Sequence, residues 1–333
     1  MVGFALGWVG LSSLLGVAHA GPFTHKTSQG EWVSNPVERP LVMPKGWLEV
    51  GAAFETKTST EYRGTDGVRR SQPAGVRWRY SQTWLELRQG FSDRVTLYGR
   101  APIVSARLDL AGGSHISTTD VGDARLGLVA QPWEVGPHSL GFSLELKTPT
   151  GVEWPEGSGG ADDTSGFLTG TGTTDLSGRL HGRYSVAERL LLGANLGYVH
   201  KFAAVVGYVQ EVGGFGNGII DPGDVVELTA SIQALVVDGV SVTAGADYRL
   251  MGQAEVGVTG DGGDGLQPVL PSGGRWFDVS TKVTVEPTPH LSAEVWLSRD
   301  LAGGDTRPFA HLGLEDFAPQ PGWTYGLRGV TRW

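Results

Sequence analysis

Apolar and polar residues alternate with a period of two along most of this chain, in short segments parted by Gly-, Pro- and Asp-rich stretches. The last segment is the clearest. Trp323, Tyr325, Leu327, Gly329, Thr331 and Trp333 share one phase, and Thr324, Gly326, Arg328, Val330 and Arg332 share the other. The first set is aromatic at both ends and uncharged, whereas the second carries arginines. Successive side chains of a strand point to opposite faces, so these residues predict a strand with one apolar and one charged side. In a soluble sandwich the apolar side would be the core. A strand between lipid and a polar lumen reads in the opposite sense, and its aromatic ends match rings at headgroup level on both bilayer surfaces.

The same rule predicts further strands, about twelve in all, an even number as single-chain outer-membrane barrels have. In Gly46–Lys57, Leu48, Val50, Ala52 and Phe54 oppose Glu49, Ala53 and Glu55; in Ser139–Thr148, Leu140, Phe142, Leu144 and Leu146 oppose Ser143, Glu145 and Lys147. Farther on, Val226, Leu228, Ala230, Ile232 and Ala234 oppose Glu227, Thr229, Ser231 and Gln233. An Arg or Lys at the bilayer midplane costs about 2–4 kcal/mol, so exclusion of charge from one phase is what a lipid face requires. One segment departs: in Val76–Arg88 the apolar phase changes parity, which predicts a β-bulge near Ser81–Thr83 or a strand whose upper part stands clear of the membrane. Connections alternate as well. Short turns fall at Gly90–Asp93, Glu134–Pro137, Ala187–Glu188, Asp238–Gly239 and Pro287–Pro289, with long Gly- and Asp-rich loops between the other pairs. Short periplasmic turns and long extracellular loops would put both termini in the periplasm.

The predicted fold is therefore all-β, a transmembrane antiparallel up-and-down β-barrel of about twelve strands in the outer membrane. Val2–Val17 is apolar or small and Ala18-His19-Ala20 has a small-x-small cleavage pattern, so residues 1–20 read as a cleaved signal peptide. Residues 21–44 read as a periplasmic N-terminal segment or plug, and 45–333 as the barrel. Composition fits: only 18% of the 333 residues are charged, against about 25% in soluble chains. The net charge of −9 excludes a nucleic-acid partner, and the absence of cysteine excludes disulfides and thiolate chemistry. The partners expected are outer-membrane lipid and a small-molecule solute, with no cofactor and no metal.

The inward phase carries the candidate chemistry. Strands two to six supply a basic excess, Arg88, Arg94, Arg100, Arg107, Arg125, Lys147, Arg179 and Arg183 against Asp123, Glu145 and Asp175. Strands eight to eleven lean acidic, with Glu227, Asp247, Asp278, Glu286 and Glu294 against Arg249 and Lys282. These groups either pair across strands as a rigid ion lattice or set up a transverse field across a pore. Two motifs point elsewhere. Gly213–Asp224 has the rear half of a calcium loop, but Gly213 and Phe215 fall where oxygen ligands are needed, so a Gly-Asn and Pro-Gly turn pair is preferred. His115-Ile116-Ser117 has the spacing of an outer-membrane phospholipase pair, set in what reads as a polar loop near the rim. Catalytic residues are expected to be absent; a rim lipid hydrolase and a structural or adhesive barrel stand as alternatives to a channel.

Three runs, QGFSDRVTLYGRAP at Gln89–Pro102, TTDVGDARLGL at Thr118–Leu128 and LELKTPTG at Leu144–Gly151, resemble the MetA-pathway of phenol degradation family. That resemblance implies an outer-membrane transporter, with aromatic or hydrophobic compounds as its solutes.

Overall fold

The computed structural model describes residues 24–26, 32–34, 41–63, 69–109, 111–151, 172–187, 189–211, 214–253, 255–258, 267–268, 274–288, 290–303 and 322–333. The expected signal peptide lies outside them. Twelve long strands follow one another: β1 Leu48–Ser59, β2 Arg77–Ser92, β3 Val95–Asp109, β4 Ala124–Val135, β5 His138–Thr148 and β6 Asp175–Ala187. The second half is β7 Leu190–Lys201, β8 Val225–Val237, β9 Val240–Met251, β10 Gly274–Thr288, β11 Leu291–Gly303 and β12 Trp323–Arg332. Each pairs antiparallel with its chain neighbours, and β12 pairs with β1 to close the barrel. Closure leaves no strand edge in the hydrocarbon, the condition a sheet must meet to span a bilayer. The final Trp333 exchanges both backbone hydrogen bonds with Leu48, so the barrel's two ends meet on the short-turn side.

The predicted phases hold around the wall. Leu144 is 46% exposed and its neighbour Ser143 6%; Ile232 and Leu327 also stand outward. The bulge expected at Ser81–Thr83 is absent. β2 pairs without a register shift from Ser59↔Trp78 to Leu48↔Gln89 on one side, and from Arg77↔Asp109 to Gly90↔Thr96 on the other. Trp78 is buried while Arg77 and Arg79 stand outward, so the phase never changes. What changes is the outward chemistry: Leu87 and Leu85 give way to Thr83, Ser81 and Arg79, and the inward Trp78 and Tyr80 then mimic an inverted phase. Arg107, expected in the lumen, shares the outward phase of Leu97 and Ile103 and also lies outside.

Other departures lie at the long-loop end. His115–Val121 is a strand paired with the upper half of β3, not a loop. The lower half of β3, Val95–Arg100, pairs with β4 instead. Ala204–Glu211, Gly214–Asp221, Glu255–Val258 and Gln267–Pro268 form a separate four-stranded sheet. Asn217-Gly218 is thus within a strand rather than a turn, which removes both the turn reading there and the calcium-loop reading; Gly213 lies outside the described residues.

Candidate functional site: the barrel lumen

The inward phase builds a layer of paired charge. At mid-height Glu145, with its side chain 4% exposed, accepts from three donors: the Tyr98 hydroxyl at 2.9 Å, Arg125 at 3.0 Å and Arg100 at 3.3 Å. Arg100 and Arg125 are direct cross-strand neighbours, so this carboxylate is what offsets their repulsion. Lys147, 2% exposed, lies 2.8 Å from Asp175 and 3.6 Å from Asp123. Farther round, Arg179 bonds Glu227 at 2.9 Å, Arg249 bonds Asp278, and Lys282 stands 3.9 Å from Glu294. Asp247 faces Asp278 across strands and accepts from the Thr229 hydroxyl at 2.6 Å. Arg183 lies opposite Ser139 on the inward phase of β6. The sequence places all of these charged groups on the lumen phase, but basic and acidic walls are not separate: Glu145 and Asp175 sit inside the basic arc, and Arg249 and Lys282 inside the acidic one.

Three bonds jump a strand directly over a glycine. Tyr98 on β3 reaches Glu145 on β5 over Gly127 of β4, where a Cβ would stand 2.5 Å from the Tyr98 Cζ. Arg179 on β6 reaches Glu227 on β8 over Gly197, where a Cβ would meet both side chains at 3.1 Å. Trp296 on β11 donates to Glu55 on β1 at 3.1 Å over Gly326. Bare backbone lets a long side chain lie flat on the wall, which explains part of the glycine content, 52 of the 333 residues. Residues 41–47 cap the short-turn end from inside. The Met43 amide donates to Thr96 Oγ1 at 2.6 Å, Arg88 donates to the Leu41 carbonyl at 3.1 Å, and Leu41 packs over Gly141.

A cavity of about 150 Å³ opens on the wall of β4 to β10. Arg125, Arg179, Lys201 and Arg249 line it with Asp175 and Glu227, while Val199, Val225, Met251 and Trp276 form its apolar side. Sequence reasoning missed the inward aromatics Trp84, Trp276 and Trp296, two of which pack at 6.3 Å across the intervening β12 and β1. The signal was present: Trp84 has the parity of Glu86 and Arg88, Trp276 that of Asp278, and Trp296 that of Glu294. His115 and Ser117, on the short upper strand, lie opposite Asp109 and Arg107 of β3, outside the lumen.

No family model matches the chain, and no curated protein is similar to it in sequence. The resemblance to the MetA-pathway family therefore rests on the quoted runs alone. Among solved structures, the chain is similar to the COG4313 outer membrane channel from Pseudomonas putida F1. The TM-score is 0.66 at 15% identity, covering 88% of this chain and 97% of that one. The toluene transporter TodX of Pseudomonas putida aligns over 95% of each chain at 13% identity, with a TM-score of 0.43. The translocator domain of NalP from Neisseria meningitidis aligns over 87% of this chain and 89% of that one, at 11% identity with a TM-score of 0.45. The first of these likenesses shows the fold. The chain is an outer-membrane β-barrel.

Proposed function

We propose that this barrel is a passive channel that admits small solutes across the outer membrane along its charged inner wall. One observation carries the reading. Every lumen ion pair named above joins adjacent or next-but-one strands, so the charges are tied along the wall and not across the bore. Twelve strands spaced about 4.8 Å apart and tilted by about 40° enclose a backbone cylinder roughly 24 Å across. Side chains held flat against such a cylinder leave room for a small molecule, whereas a structural barrel would interlock them from side to side. The likeness to an outer membrane channel supports this reading, and the family resemblance suggests aromatic or hydrophobic compounds as the first solutes to try.

Residues 21–44 act in this proposal as a periplasmic plug, anchored by Leu41 and Met43, that narrows one mouth of the channel. Liposomes containing the full-length protein provide the test. Small solutes should enter them faster than protein-free liposomes, and loosening the plug by Leu41→Gly with Met43→Gly should raise that rate. Entry no faster than in protein-free liposomes, for both proteins, would defeat the channel reading.

A further inference from the structure

On β2 and β3 the lipid-facing phase does not end where the membrane should. From the exposed Phe91 to Arg79 is 12 residues. At about 3.3 Å per residue and a tilt of about 40°, that is a rise of roughly 30 Å, just past an apolar band about 25 Å tall. At this level Arg79 and Arg107 face each other directly across the two strands, an arrangement that like charges disfavour. Between them lies one carboxylate. Asp109 accepts from Arg107 Nε at 2.6 Å and from Arg79 Nη2 at 2.7 Å. Both guanidiniums remain accessible, with 44% and 42% of their side chains exposed, and Arg77 stands exposed one step higher on the same face. Three arginines against one aspartate leave a net positive patch on the outside of the barrel.

The flanking chemistry is polar without being charged. Thr119 donates to Ser105 at 2.8 Å on one side, and Ser81 to Thr56 at 3.0 Å on the other. Below the hydroxyls on the same phase lie Ile103, next after Ser105, and Leu85, past Thr83, 53% and 63% exposed. An occupant must therefore combine an anion, hydrogen-bonding groups at the level of the hydroxyls, and apolar chains reaching down the wall. Guanidinium forks match phosphate oxygens in shape as well as charge. We propose that this face binds the phosphorylated sugar headgroup of an outer-leaflet lipid, Arg79 and Arg107 gripping one phosphate while the acyl chains lie over Leu85 and Ile103. The continuity of the patch with the lipid-facing leucines favours a lipid over a free ion. The proposal uses only the orientation of the long loops toward the outside and is independent of channel activity.

The test titrates the full-length protein in detergent with diphosphorylated lipid A, with the same lipid stripped of phosphate, and with inorganic phosphate, counting bound lipid by native mass spectrometry. Diphosphorylated lipid A should bind at least about 10-fold tighter than the stripped form. Arg79→Ser with Arg107→Ser should lose that preference, and Arg79→Lys with Arg107→Lys, which keeps charge but not the fork, should retain part of it. Arg189→Ser, at an exposed arginine paired with Asp238 on the short-turn side, should bind like wild type. Equal binding of both lipids, undiminished binding by the serine variant, or displacement of the lipid by millimolar phosphate would overturn the proposal. The lysine variant keeps the test informative should the serine variant fail to fold.

Discussion

The glycine beneath the Tyr98–Glu145 bridge gives a quantitative handle on the inner wall. A Cβ at Gly127 would stand 2.5 Å from Tyr98 Cζ, 2.6 Å from its hydroxyl oxygen and 2.7 Å from the Leu144 carbonyl oxygen. The ring can swing away only by stretching its 2.9 Å bond to Glu145, and the Leu144 carbonyl belongs to the sheet ladder and cannot move far. Overpacking of this kind costs about 1–3 kcal/mol. Losing a hydrogen bond to a buried carboxylate adds about 1.5–3 kcal/mol. Replacing a strand glycine by alanine returns about 0.5–1 kcal/mol. Gly127→Ala should therefore destabilise the barrel by roughly 2–5 kcal/mol. Gly329→Ala is the control, because nothing lies within 4 Å of its Cβ position and the substitution should be neutral or stabilising. Urea unfolding of both variants in lipid vesicles gives the comparison. In a Tyr98→Phe background the cost of Gly127→Ala should shrink, since the bond is already gone and the two sites are coupled. If Gly127→Ala proves as stable as Gly329→Ala, the wall is not built over bare glycine backbone.

Further predictions follow from the same geometry. Ile232→Arg, on the lipid face of β8, should impair assembly by about 2–4 kcal/mol, while Ser231→Arg, one residue away on the lumen face, should assemble far better; equal damage in a vesicle-folding assay would reverse the inside and outside of the barrel. Glu145→Gln leaves Arg100 and Arg125 facing each other without their shared carboxylate, and should cost about 1–3 kcal/mol because both guanidiniums are still partly solvated. Asp224 sits outside the spanning strands. Burial raises its carboxyl, but bonds from the Tyr198 phenol, the Lys201 amide and His200 outweigh this and hold it below the usual carboxylate range. A depressed value means that its stabilisation is full above about pH 4 and is lost as pH falls through the lowered value. The melting-temperature gap between wild type and Asp224→Asn should accordingly close on acidification, and a gap that widens would contradict the sign.

Most of the fold was legible because a lipid face tolerates so little. Leu144, Ile232 and Val283 could not exchange phase with Ser143, Ser231 and Lys282 without placing charge or polar groups in hydrocarbon, so parity alone assigned them. The assignment failed where that constraint ends. Above Thr83 and Ile103 the outward positions become Ser, Arg and Thr, so Trp78 and Tyr80 suggest a bulge and Arg107 reads as a lumen group. The loops were harder still. Gly214–Asp221 and His115–Val121 are strands that pair with the segments just before them, but their glycine-rich or polar composition gives no apolar period to detect. In the lumen, sequence phase located the charged groups but not their partners. Tyr98–Glu145 and Arg179–Glu227 depend on jumping a strand, a relation visible only once the register brings Gly127 and Gly197 between them.

The most direct test of the account is the single-channel current of the full-length protein in a planar bilayer, recorded across a salt gradient for wild type and for Arg100→Glu with Arg179→Glu. A bore lined by wall-tied charge predicts discrete openings in both, with the reversal potential of the double variant shifted toward cation preference because the remaining lumen charge is then acidic. A barrel closed by its own ion lattice would show no openings in either protein and a lowered melting temperature in the variant, and that result would contradict the account.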